Sequence, residues 1–172
     1  MSVGENEDGR SYNFYGGEIG YTLQTNMGEG NYRLIVGRTS EDFNDPQDIN
    51  KESRTCVLLS FDQQLGKNLG TWIRFGWQDD SAKINYEEVY SGGIDISGKL
   101  WGRADDNIGM GYAYLDGGNQ GLDKSHVLEV YYRFLLNEYC ALTADMQYVK
   151  DDIKAGKNPE GFISGLRLVV KF

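Results

Sequence analysis

The closing stretch of the chain, Phe162–Phe172 (FISGLRLVVKF), alternates strictly and ends on an aromatic residue. Phe162, Ser164, Leu166, Leu168, Val170 and Phe172 share one parity; Ile163, Gly165, Arg167, Val169 and Lys171 share the other. Side chains alternate across an extended strand, so this segment has one apolar row and one partly charged row. A chain built of such segments must find an apolar surrounding for the first row and a polar one for the second.

Alternation of this kind recurs along most of the 172 residues. Strands are expected at Tyr12–Thr25, Tyr32–Thr39, Thr55–Gln64, Leu69–Gln78, Lys83–Leu100, Asn107–Leu115, His126–Leu136, Ala141–Lys150 and Phe162–Phe172. Apolar residues recur at period two and not at the helical period, so no helix is expected. The composition agrees: 12 tyrosines favour strands and membrane interfaces, 23 glycines permit turns and close packing, and only 2 prolines interrupt ladders. The net charge of −9 leaves no basic stripe for a nucleic acid. No run approaches the ~18 apolar residues of a membrane-spanning helix.

Connections alternate in length. Asn26–Asn31, Gly66–Asn68, Trp101–Asp106 and Asn137–Tyr139 are tight, whereas Ser40–Ser53, Asp79–Ala82, Asp116–Ser125 and Asp151–Gly161 are longer or more polar. Successive turns of an up-and-down sheet fall at opposite ends, so the tight turns gather at one end and the loops at the other. Charge sorts in the same way. Glu18, Arg33, Asp62, Arg74, Asp95, Lys99, Glu129, Arg133, Asp145, Arg167 and Lys171 share a face, opposite rows such as Leu34–Val36, Phe75–Trp77 and Leu128–Val130–Tyr132–Phe134. Short turns at one end, long loops at the other, an apolar outer face and aromatics near strand ends are the pattern of a transmembrane β-barrel. The expected fold is therefore an all-β, antiparallel, up-and-down transmembrane barrel with eight or nine strands present. Its closing strand, ending at Phe172, is the segment expected to engage the barrel-assembly machinery during membrane insertion.

The segment Ser91–Gly111 (SGGIDISGKLWGRADDNIGMG) combines Ser91-Gly92-Gly93, a turn Trp101-Gly102-Arg103 with Asp105-Asp106, and a strand opening Ile108-Gly109. With Phe61–Leu65, Arg74–Trp77, Glu129, Tyr131–Phe134, Gln147-Tyr148 and Gly165–Leu168, it resembles the C-terminal half of carbohydrate-selective porins of the OprB family. The resemblance covers most of 54–172. It implies a pore of about sixteen strands in the bacterial outer membrane, wide enough for an aqueous channel. It also implies passive diffusion of carbohydrates or similar small polar solutes, without covalent chemistry.

On that reading, Arg33, Arg74, Lys99, Arg133 and Arg167 are candidate donors to solutes, balanced by Asp62, Asp95, Glu129 and Asp145. Trp72 and Tyr131 face the lumen by parity and offer stacking surfaces. The best local cluster is expected where Glu129 and Arg133 lie beside Asp145 and Arg167. Cross-strand pairing that keeps the wall rigid is the competing role for every one of these charges. Trp101, Gly102, Arg103, Asp105 and Asp106 are expected to shape a turn, with an aspartate bonding backbone amides. The acidic loop Glu41–Glu52 lacks calcium-loop spacing and reads as solvated. His126 has no nucleophile partner at recognisable spacing, so an enzyme is not expected. Cys56 and Cys140 carry no metal spacing, and no cofactor is implied.

Residues 1–11 (MSVGENEDGRS) form a polar segment without the basic start and apolar core of a signal peptide. The chain is thus expected to be a single barrel domain over 1–172 or the C-terminal portion of one, completed by missing N-terminal strands or by further copies. A small closed barrel holding a ligand, and a soluble β-protein, remain alternatives that strand number and folding without detergent separate.

Overall fold

The computed structural model describes residues 2–6 and 8–171. Its main body is one antiparallel sheet of β1 (Ser2–Glu5), β2 (Ser11–Thr25), β3 (Gly28–Thr39), β6 (Thr55–Leu65), β7 (Leu69–Gln78), β8 (Tyr86–Ser97), β9 (Asn107–Gly117), β10 (Leu122–Asn137), β11 (Cys140–Ile153) and β12 (Glu160–Val170). Each strand pairs with its neighbours in that order, so the sheet is a pure meander. β4 (Phe43–Asn44) and β5 (Lys51–Glu52) form a separate small hairpin. The sheet does not close: among the described residues β12 has one ladder only, to β11, and β1 covers β2 only over Ser11–Phe14.

All nine expected strands are present, several of them longer than expected, and three regions depart from the expectation. Part of the polar 1–11 segment is the strand β1. The strand expected at Lys83–Leu100 is β8, which begins at Tyr86 and stops at Ser97; Gly98–Trp101 is a 3-10 turn, so Lys99 and Leu100 leave the wall and are exposed. Gly102 there has φ of 80°, a conformation a side chain disfavours. The loop Glu41–Glu52 is folded rather than solvated: it contains the β4–β5 hairpin, and Phe43 and Asp45 are only 8% and 6% exposed. Phe172 lies outside the described residues.

Register confirms the sorting of faces, because directly paired residues point the same way. One row runs Leu34–Leu59–Phe75–Tyr90–Tyr114–His126, and another Ile96–Ile108–Tyr132–Ala144–Leu166. Leu166 is 78% exposed and Ile19 75%. Rings touch in sequence across this apolar face, from Tyr32–Phe61 (5.9 Å) to Phe75–Tyr90 (5.9 Å) and Tyr114–His126 (5.3 Å). Near the long-loop end, tyrosine hydroxyls donate to carboxylates one step further out: Tyr90 to Glu88 (2.6 Å), Tyr114 to Asp116 (2.9 Å) and Tyr148 to Glu160 (2.9 Å). Each ring therefore has an apolar body against the face and a polar tip toward the rim.

Among the described residues three of the four buried apolar side chains lie among the long loops, Phe43, Ala82 and Ile84; the fourth, Ala141, is in β11. Phe43 meets Tyr12 edge-on at 4.9 Å and carries the Arg54 guanidinium 4.0 Å above its ring. Asn119 ties the next loops together, accepting from the Ile84 amide (3.0 Å) and donating to the Asp80 and Ala82 carbonyls (2.7 Å each). Tyr12 has the parity of the polar face, so the loops are anchored on that side of the sheet.

Candidate functional site

The polar face is organised in register rows. Arg33, Ser60, Arg74 and Ser91 form one; Asn31, Asp62, Trp72, Gly93, Gly111 and Glu129 form the next toward the tight turns; Gly70, Asp95, Gly109, Tyr131, Asp145 and Gly165 form a third. The Asp62 carboxylate bonds the Arg33 guanidinium closely and lies 3.9 Å from Arg74, so two cations share one anion. The Arg74 Nε donates to Ser60 Oγ at 3.4 Å, and its guanidinium lies 4.7 Å from the Trp72 ring centre.

Glycines give this wall its shape. A Cβ at Gly93 would lie 2.8 Å from the Trp72 indole nitrogen, and one at Gly111 3.0 Å from Cζ2 of the same ring. The indole therefore lies flat across β8 and β9. Tyr131 lies likewise over Gly109, where a Cβ would be 2.3 Å from the ring. Its hydroxyl donates to Asp95 (2.6 Å) and meets Asn107 Nδ2 at 3.3 Å. Asp95 is thereby engaged, whereas Glu129 and Arg167 have no ion pair among the described residues.

The expected cluster of Glu129, Arg133, Asp145 and Arg167 does not assemble. Asp145 pairs in register with Tyr131 and Gly165, Arg167 with Thr143, and Arg133 donates to the Asp105 carbonyl at 3.2 Å. The joined charges are instead Arg33, Asp62 and Arg74. Toward the long-loop end the polar face is less polar than expected: Ile35, Leu58, Val89, Leu115, Val127 and Val149 point there too. Cys56 shares that face, Cys140 lies on the apolar one, and both are free thiols.

The turn after the 3-10 segment is locked by Asp106, which is 3% exposed. It holds the Arg103 guanidinium and accepts from the Tyr132 hydroxyl (2.9 Å) and the Leu135 amide (2.9 Å), while Trp101 Nε1 donates to Tyr132 (2.8 Å). The amide it bonds belongs to a different strand, so the turn is pinned to β10. Hydrogen bonding from Arg103, together with the Leu135 amide and Tyr132, outweighs burial and holds the Asp106 carboxyl down at about 2. Asp105 is exposed.

The family model for carbohydrate-selective porins of the OprB family matches residues 8–172. The chain belongs to the OprB family. Its sheet is similar in fold to a high-pH structure of Pseudomonas putida OprB, with a TM-score of 0.74 at 15% identity over 92% of this chain. The chain spans about half of that protein, 48% of its length. No curated protein matches. The open sheet corresponds to part of an OprB barrel wall, and the Trp101–Asp106 turn lies within the Ser91–Gly111 segment whose sequence resembles the family.

Proposed function

We propose that the chain forms a section of the wall of an outer-membrane OprB porin, through which carbohydrates or similar small polar solutes diffuse passively. One observation supports this most: the register collects charges from eight of the nine full-length strands, with the glycine-backed Trp72 and Tyr131, on one face, and exposed aliphatic and aromatic side chains on the other, whose own charges lie toward the long-loop end. A small soluble barrel needs the opposite arrangement, with its apolar rows inward. The apolar face then meets lipid, the tight turns the periplasm, and the long loops the cell exterior. Arg33, Asp62, Trp72, Arg74, Asp95, Glu129, Tyr131, Arg133, Asp145 and Arg167 line the lumen; Lys99 stands at its periplasmic rim.

The linear strand order favours a section of a larger pore over a small closed barrel. Unpaired strand edges in hydrocarbon cost several kcal/mol for each unsatisfied group, on the order of 4–8 for an amide in an alkane-like medium, so further strands must complete the wall. The test is swelling of liposomes carrying the protein purified from the outer membrane of the producing cells. Pentoses and hexoses should enter, at rates falling with solute size. No swelling with any sugar would overturn the pore.

A further inference from the structure

Two arginines on the polar face have more donors than partners. Arg33 and Arg74 flank Ser60 in one row, and the single carboxylate between them, Asp62, is committed to Arg33 and stands 3.9 Å from Arg74. The Arg33 Nε is buried without a hydrogen-bond partner. Among the described residues the only side-chain hydrogen bond of Arg74 is to Ser60 Oγ, at 3.4 Å. Two guanidiniums against one carboxylate leave a local surplus of positive charge. Glu18 and Glu29, acids on the same face, pair with neither arginine among the described residues, Glu29 accepting instead from Gln24 and Asn31, and Asp95 is occupied by Tyr131 and Asn107.

The surroundings hold this surplus in place. Trp72 is pressed to the wall by Gly93 and Gly111, and Arg74 stacks on it. A guanidinium stacked on a ring keeps its N–H edge in the plane and free to fork onto a planar anion. The same stacking covers Trp72, so a neutral sugar must displace Arg74 to reach the indole face, whereas a carboxylate binds Arg74 where it stands.

Resting on the porin reading above, we propose that Arg33 and Arg74 form an anion-accepting site that prefers a monosaccharide bearing a carboxylate over its neutral counterpart. The carboxylate bridges the free N–H edges of the two guanidiniums beside Asp62, and the sugar hydroxyls turn toward the lumen.

Isothermal titration of the detergent-solubilised protein with glucuronate and with glucose tests this. Glucuronate should bind about tenfold more tightly, the scale of one charge-assisted hydrogen-bonding pair. That preference should shrink as salt rises. Arg74→Gln should abolish the preference, and Arg74→Lys, which keeps the charge and loses the fork, should retain only part of it. Asp62→Asn should strengthen glucuronate binding by releasing both guanidiniums. Equal affinities for the two sugars, or an undiminished preference in a folded Arg74→Gln protein, would overturn the site. Liposome swelling separates the two readings: neutral sugars entering while glucuronate shows no preference refutes this site alone, and Arg74-dependent glucuronate binding without any sugar entry refutes the pore alone.

Discussion

The indole of Trp72 rests on Gly93, where a Cβ would come within 2.8 Å of the indole nitrogen. Gly111 completes the floor under the far edge of the ring. At Gly111 the first obstacle is the indole itself, which can lift; at Gly93 it is also the Met110 carbonyl oxygen, 2.5 Å away. Gly111→Ala should therefore fold and push the ring into the lumen, lowering single-channel conductance. Gly93→Ala should destabilise the barrel by about 1–3 kcal/mol, measured by denaturant unfolding in micelles.

Facing can be tested with one cation on each side. Val130 lies mid-strand on the apolar face, paired with Met110 and Met146; Thr143 lies on the polar face, paired with Arg133 and Arg167. Val130→Arg should cost about 2–4 kcal/mol if its depth is near the bilayer midplane. Thr143→Arg, set directly between Arg133 and Arg167, should cost less, about 0.2–1 kcal/mol for each opposed arginine, and shift ion selectivity toward anions. Unfolding in lipid vesicles and reversal potentials in planar bilayers read the two effects.

Acid should release the Trp101–Asp106 turn late. The Asp106 carboxyl sits at about 2 in the folded protein and near the ordinary aspartate value of about 3.9 when unfolded. A depressed value of this kind contributes stability above pH ~4 and loses it as pH falls toward ~2. Trp101 emission should report that loss, since the indole donates to Tyr132, which donates to Asp106. Asp106→Asn should lack the transition; an unchanged acid titration in that variant would contradict the assignment.

The long loops should loosen as one unit when their aromatic anchor is removed. Phe43→Ala deletes the contacts to Tyr12 and Arg54, and burial of this kind is worth about 3–5 kcal/mol where the site cannot collapse. Faster hydrogen exchange is expected at the Ile49 and Asn50 amides, which donate to Asp45 at 2.8 and 3.0 Å. Sheet amides of β10 and β11 should stay protected.

Much of the wall was legible because period-two alternation survives in a strand that is wet on one side and greasy on the other. Parity alone placed Arg33, Asp62, Trp72, Arg74 and Tyr131 on one face. What parity does not carry is position along the strand relative to a neighbour. Glu129, Arg133, Asp145 and Arg167 share a face, yet register sets Asp145 beside Tyr131 and Arg167 beside Thr143, and the expected cluster dissolves. Gly109 and Gly111 had a readable signal, two glycines spaced by two on the charged face, which marks a floor for a flat ring. The apolar Ile35 and Leu58 on that face were hidden by the continuous apolar runs around them, Leu34–Val36 and Val57–Leu59. The burial of Phe43 depends on Tyr12 and Arg54, contacts that no local pattern in Glu41–Glu52 announces.

Strand direction sets a rule for how the open sheet can be finished. Directions alternate along a meander, so β2 and β12, the first and last of nine full-length strands, point the same way. An antiparallel seam between them must contain an odd number of strands, and β1 already occupies the long-loop end of one. Two copies joined directly, β12 of one to β2 of the other, would meet in parallel at both seams. The wall is therefore directional: copies can meet antiparallel only where β12 of one runs against β1 of the next, and β1 covers just Ser11–Phe14 of β2.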